Sequence, residues 1–301
     1  MRALRVGAVS RNYFNMPLWT AAHGGFFERE GLSVDITLIE GIAEVTERLL
    51  DGTFDLALNV TENTLLARER GADLQVIGGN VNRLPFSFIA RPGIDSYAAL
   101  RGGRIGVSSL EAGSSSLVMR LLADHGLHAP DDYTLLAVGP ILSRWALLQS
   151  GGIDAGLQGA PLDYIAIDRG YVSLGSPRER FPDFQFTSLD VSEGWARRNE
   201  DVVVRFMRAF VRAHRAFHAD RDAACRIACE ETGIERRYAE RAWDDYVRDG
   251  IFPRDGHANL AGIQTLIEVS ALIRDLERRA SMRAEAYVDH GYLETALASL
   301  G

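Results

Sequence analysis

Three arginines, Arg11, Arg83 and Arg144, each fall just beyond a short apolar run, where a strand would end and a loop begin. A guanidinium presents a planar fork of donors that suits a carboxylate, sulfonate or phosphate. The first of them lies in LRVGAVSRNYFNM (residues 4–16), an alternating Val- and Leu-rich segment that turns abruptly polar. Ser10, Asn12 and Asn15 add a hydroxyl and two amides there, and Tyr13 or Phe14 offers an aromatic wall. Pro17 stands where a helix would take its first turn. A strand that feeds a donor-rich loop and then a helix N-terminus is a common anion site of α/β sheets. The competing explanation for each such residue is capping or loop packing.

Other polar residues fall at similar points. Gly41, Asn59, Thr61 and Glu62 follow two further apolar runs in the first third of the chain. Ser108, Glu111, Ser114 and Ser115 form a hydroxyl-rich segment before a helix, and Gln158 closes a later run. Free N–H groups at the start of that helix would add partial positive charge. Glu62 and Glu111, if they face the same cleft, call for a cationic or hydrogen-bond-donating group on the ligand.

Two other patterns read as packing. His214 and His218, then Cys225 and Cys229, have helical spacing that could pair zinc ligands, but they also lie on apolar helix stripes. His23 beside Gly24 is read as an exposed helix residue. Gly-x-Ser-x-Gly, HExxH and phosphate-binding glycine motifs do not occur in the chain. All 33 basic residues are arginine, so no lysine of this chain can form an imine. No cofactor and no metal is expected.

The elements that must position these groups follow from periodicity. Strands are expected at 4–9, 32–40, 54–60, 74–78 and 85–91, with helices at 16–28, 44–50 and 62–70, the last capped by Thr61. The pattern then restarts: strands at 103–108, 133–138 and 153–158, with helices after 116 and over 141–150. GTFD (52–55) and GGID (151–154) echo each other, each between a Leu-Leu helix end and a strand. From about residue 201 the chain reads as helix: 202–217, 221–231, 237–249, 261–276 and 292–300. Strands alternating with helices indicate α/β architecture with mainly parallel, doubly wound sheets. The 301 residues, 47% apolar, suffice for two lobes. A net charge of −8 argues against nucleic acid as a partner, and no stretch is long and apolar enough for membrane insertion.

Several segments together resemble the substrate-binding proteins of ABC importers for sulfonates, nitrate, taurine and thiamin-pyrimidine precursors. They are AAHGGFFEREGLSVDI (21–36), LLDGTFDLAL (49–58), TLLARERGADLQVIGG (64–79), LRGGRIGV (100–107), the serines at 114–116, LLQSGGIDAGLQGAPLDYIAIDRGY (147–171) and AFVRAHRAFHADRDAA (209–224). The resemblance implies a two-lobed, type II periplasmic-binding-protein fold. Lobe one would be residues 1–90 plus 188–301, carrying the helical tail, and lobe two 91–187. The crossings would lie near 90–92 and 187–190. A small anionic organic molecule (sulfonate, carboxylate or pyrimidine-like) would sit between the lobes and hold them closed, with an ABC permease as the partner in import. The alternative is a cytoplasmic decarboxylase, lyase or hydrolase on the same fold. The chain lacks the cysteine-rich motif of the thiamin-precursor synthase, and its cysteines lie only at 225 and 229. Only Met1, Arg2 and Ala3 precede the first strand. The compartment is therefore periplasmic if a leader belongs upstream and cytoplasmic if Met1 is the native start.

Overall fold

The computed structural model describes residues 1–111, 113–274, 279 and 281–300. Two mixed sheets of five strands stand side by side. The first contains β1 (Arg2–Val9), β2 (Leu32–Ile39), β3 (Leu56–Val60) and β4 (Leu74–Val81). The second contains β5 (Phe86–Ala90), β6 (Arg104–Val107), β7 (Thr134–Ala137), β8 (Ala155–Gly159) and β9 (Val172–Ser173). A last strand, β10 (Thr187–Ser192), returns to the first sheet, giving the orders β2-β1-β3-β10-β4 and β7-β6-β8-β5-β9. In each sheet the strand that arrives from the other sheet, β10 or β5, runs antiparallel to its neighbours, while the βα units are parallel. This is the two-lobed α/β arrangement expected from the sequence.

Helices α1 (Met16–His23) and α2 (Phe26–Arg29) replace the single helix expected over 16–28. Gly25 takes a left-handed conformation, φ 63°, that breaks the run. Helices α3 (Ile42–Leu50) and α4 (Thr61–Glu69) complete the first sheet's connections. Helices α5 (Ser115–Ala123), α6 (Ile141–Ser150), α7 (Leu162–Asp168) and α8 (Pro177–Arg180) serve the second.

The short sequence echo is a structural repeat. At the foot of the first sheet, Asp55 accepts from the Arg5 backbone N–H at 2.8 Å and from its guanidinium, which also donates to Gly52 O at 2.8 Å. At the foot of the second, Asp154 accepts from the Arg104 N–H at 2.7 Å, and the Arg104 guanidinium donates to Gly151 O at 2.8 Å. The glycines two residues further along each strand match too. A Cβ on Gly7 would come within 2.4 Å of the Phe54 ring, and one on Gly106 within 2.5 Å of Ile153. β1 therefore closes against β3, and β6 against β8, in the same way.

The chain passes between the sheets over residues 82–85 and 181–186, ahead of the expected 90–92 and 187–190. The run PFSFIA pairs fully with β8, so Phe86 already belongs to the second sheet. Arg91 lies beyond that strand and binds Asp154 there.

The tail comprises α9 (Glu193–Arg198), α10 (Glu200–Ala219), α11 (Arg221–Thr232), α12 (Arg236–Arg248), α13 (Leu260–Arg274) and α14 (Gly291–Leu300). It packs on lobe one through α10 against α1, and Val76 of β4 exchanges backbone hydrogen bonds with Tyr287 and Asp289. It also reaches across to the second sheet's helices. Tyr238 donates to Asp168 at 2.7 Å, Tyr164 donates to Asp245 at 2.5 Å, and α13 lies against α5. The larger apolar core accordingly joins tail residues such as Phe217, Tyr246 and Phe252 to Phe88, Leu157 and Tyr164 of the second sheet and its helices. Among the described residues no helix is long and apolar enough to cross a membrane.

Candidate functional site

A small cavity of about 30 Å³ lies between the carboxyl ends of the two sheets. Val9 and Asn12 after β1, Val60 at the end of β3, and Ile42 at the start of α3 line it from the first sheet. Ser108 after β6 and Pro140, Ile141 and Arg144 at the start of α6 line it from the second. Phe14, with Phe186 and Thr187 at the second crossing, closes the back.

Arg144 gives this cavity its character. Its side chain is 2% exposed, and no carboxylate among the described residues pairs with it. The guanidinium donates to Leu157 O at 3.0 Å, to Gly139 O at 3.2 Å and toward the Ser114 hydroxyl at 3.5 Å. Burial lowers its pKa to about 10, and it remains a cation at any physiological pH. Neutral oxygens and apolar walls thus surround a full positive charge. Such a charge is costly unless an anion completes it.

The loop after β1 is built to hold its own shape. Ser10 adopts φ 45°, the positive-φ non-glycine residue among those described. Its N–H donates to Ile39 O at 2.7 Å, its carbonyl accepts from the Asn15 amide at 2.6 Å, and its hydroxyl accepts from Asn12. Asn12 also accepts from Phe14 N–H at 2.9 Å. Ser10, Asn12 and Asn15 therefore spend their polar groups inside the loop, and of the three only Asn12 lines the cavity.

Arg11 and Arg83 do not join Arg144, which corrects the expected three-arginine clamp. Arg11 is exposed and pairs with Glu231 of α11 at 2.6 Å. Arg83 is exposed and donates to Asp249 O at 3.1 Å. Both are drawn outward by the tail, whose position their own loops do not encode. Tyr13 is also not a cavity wall. It is fully buried against Tyr246 and Phe217, with ring centroids 4.8 and 6.4 Å away.

The carboxylates are likewise engaged elsewhere. Glu62 is buried beside Arg279, 3.2 Å away, and Ser116 donates toward it at 3.4 Å. Glu111 is exposed and lies 3.4 Å from Arg70. Neither lines Arg144's cavity. Thr61 is the first residue of α4 rather than its cap, and its hydroxyl donates to Ser188 at 3.0 Å. Asn59 donates to Thr46 at 2.8 Å and does not line the cavity, and Gly41 precedes α3 at the surface. Ser108 and Ser114 bond each other reciprocally, each N–H to the other's hydroxyl at 3.0 Å, and Ser115 donates to Leu110 O.

Gln158 is fully buried, and neither end of its amide has a partner among the described residues. It shares a sheet face with Gly156, two residues earlier, where a Cβ would meet Arg144 Cδ at 3.5 Å. The tempting zinc pattern is packing. His214 lies edge-on to Phe210 and Phe252, with burial lowering its pKa to about 3, and His218 bonds Phe252 O at 3.0 Å. Reading by motif missed Ile141, Phe186 and Thr187. The FQFT alternation at 184–187 was the available signal for the last two.

Comparison with known proteins agrees with this architecture. The alkanesulfonate-binding protein SsuA from Xanthomonas axonopodis pv. citri, solved bound to MOPS, superposes with a TM-score of 0.77 at 19% identity, covering 96% of this chain and 98% of that one. The periplasmic nitrate-binding protein NrtA from Synechocystis superposes at 0.79 with 12% identity, covering 100% and 89%. A Schizosaccharomyces pombe protein named 4-amino-5-hydroxymethyl-2-methylpyrimidine phosphate synthase is 29% identical over 180 residues, 59% of this chain. The match spans 49%, about half, of that relative's length. Residues 12–224 match the family described as NMT1/THI5 like, more than two thirds of the sequence, and the chain therefore belongs to the NMT1/THI5-like family.

Proposed function

We propose that this chain is a solute-binding protein that takes a small organic anion between its two lobes. The observation that carries the reading is Arg144: a buried guanidinium, without a carboxylate partner among the described residues, on a cavity at the strand ends of both sheets. In an apolar surround, a sulfonate or carboxylate would gain a charge-assisted hydrogen bond that water cannot weaken. Phe14 and Phe186 would supply aromatic contact for its carbon skeleton once the lobes part to enlarge a space that is now about 30 Å³. Import would require an ABC permease as partner. The sulfonate-binding and nitrate-binding relatives of the fold support this class of ligand.

The names of the fungal relatives favour a second reading, a synthase or lyase on the same fold. Arg144 would then polarise a bound carboxylate, and any catalytic nucleophile would have to come from residues other than lysine, which the chain lacks. A thermal-shift screen of sulfonates, aromatic carboxylates and pyrimidines decides between them, with each hit recovered and weighed after overnight incubation. A stabilising compound recovered unchanged supports capture. A compound returned at a different mass supports catalysis, and no hit among the anions sinks the Arg144 argument.

A further inference from the structure

A second and larger cavity, about 170 Å³, lies on the far side of the aromatic cluster from Arg144. Phe14, Phe86 and Phe186 pack edge-on with centroids 4.8–5.8 Å apart. Phe14 and Phe186 face the smaller cavity and Phe86 the larger one, so the three rings form a partition. The larger space is enclosed by the first crossing, by α7 and by α12 of the tail.

Its polar lining is unevenly satisfied. Arg178 and Asp249 neutralise each other at 2.7 Å. Asp245 accepts from Tyr164 and pairs with Arg248 at 2.7 Å. That leaves one carboxyl and one guanidinium. Asp163 is 5% exposed and, among the described residues, accepts from the Ser87 hydroxyl and the Tyr164 N–H, both at 2.9 Å. Arg241 rests over the Tyr164 ring, 4.0 Å from its centroid, with no carboxylate in ion-pair range among the described residues. Tyr246, also on the lining, is 1% exposed, and its hydroxyl has no partner among the described residues. A buried phenol without a partner is an unmet hydrogen bond that costs stability.

We propose that this cavity is a second small-molecule site and that it takes an amino carboxylate. The ligand's ammonium would meet Asp163, its carboxylate Arg241, and its aliphatic part the Phe86 and Tyr246 rings. Asp163 and Arg241 have opposite sign and are not in ion-pair contact with each other, so an amino carboxylate engages both while a ligand bearing a single charge engages only one. Burial raises the Asp163 pKa to about 6. The groups that face Asp163 are Ser87 on β5, the adjacent Tyr164, and Arg241, Asp245 and Tyr246 on α12. Ammonium binding needs Asp163 ionised, so affinity should fall as pH drops below about 6. This site does not depend on the reading of Arg144.

The test is calorimetric titration of the full chain with 4-aminobutyrate and L-leucine, with butylamine and butyrate as single-charge probes. The expected result is saturable binding of an amino carboxylate, weakened at least tenfold in both Asp163→Asn and Arg241→Gln. The affinity of the parent protein should fall as pH drops from 7 to 5, and Asp163→Asn should lack that dependence. Arg241 is exposed, so the second variant keeps the test valid if the first folds poorly. Binding of butylamine or butyrate as tightly as the amino carboxylates overturns the proposal. So does absence of binding by both amino carboxylates at millimolar concentration. Binding that Arg144→Met abolishes and Asp163→Asn spares would place the ligand at the other cavity and overturn it equally.

Discussion

Replacing Arg144 by Met should separate folding from binding. Burial takes the guanidinium from 12.5 to about 10, and at about 1.4 kcal/mol per pKa unit that is a penalty on the order of 3 kcal/mol for holding the charge inside. Methionine removes the penalty and fills most of the same volume. It also leaves Leu157 O and Gly139 O without the donors that now lie 3.0 and 3.2 Å away, a loss of about 1–3 kcal/mol for each. The two terms offset in large part, so the net loss of stability should stay within about 3 kcal/mol. Affinity should behave quite differently. Removing one side of a desolvated, hydrogen-bonded charge pair costs about 2–5 kcal/mol, or roughly thirty- to several-thousand-fold. Denaturant unfolding and calorimetry with a sulfonate that stabilises the parent provide the two measurements. A variant that loses well over 3 kcal/mol of stability while binding the sulfonate undiminished would show that Arg144 serves the two carbonyls and not a ligand.

Asp190 is fully buried, and burial raises its pKa to about 7 against the hydroxyls of Ser188 and Thr64 and the Asn59 amide. A carboxyl whose folded pKa is raised gives stability that is fully present below its unfolded value, near 4, and is lost as pH climbs to about 7. Urea midpoints of the parent should therefore fall across that window, by a few kcal/mol in free energy, and Asp190→Asn should flatten the profile; an unchanged slope in the variant would assign the titration elsewhere. Burial would raise the Asp154 carboxyl, yet Arg104 and Arg91 hold it below the usual range. Asp154→Ala should cost about 2 kcal/mol in chemical unfolding because it strips bonds to a guanidinium and a strand N–H together, and a neutral effect would mean the repeat is decorative. Gly106→Ala forces a methyl against Ile153 and should cost about 1–3 kcal/mol, which melting curves would show as a drop of several degrees; no drop would mean that Ile153 rotates away freely.

Local order was legible because it is written in local periods. Residues 32–40 alternate, and they became β2; the GTFD and GGID echo became the paired Asp55 and Asp154 clasps. Contacts set by the tail were not legible. Nothing near Arg11 announces Glu231, 220 positions later, and nothing near Glu62 announces Arg279. A loop arginine offers the same fork to a ligand or to a surface carboxylate, and only tertiary packing decides which one takes it. Arg144 is the exception. It sits in the first turn of α6 and points back over the end of β8, where the apolar neighbours Ile141 and Leu157 are fixed by strand and helix periodicity. The antiparallel strands β5 and β10 were obscured for a related reason. Their pairing partners lie in segments far away in sequence, so alternation alone did not say to which sheet they belong.

The tail's grip on both halves bears on timing. Each opening of the space beside Arg144 would have to slide α12 and α13 over α7 and α5, parting buried rings and the Tyr164–Asp245 and Tyr238–Asp168 hydrogen bonds. Two slender crossings alone would let the halves swing at little cost, with a captured molecule leaving as fast as its own contacts broke. Here the barrier to parting belongs largely to the protein. A molecule held beside Arg144 should therefore stay long, its release waiting on the protein's own opening as well as on the breaking of its contacts.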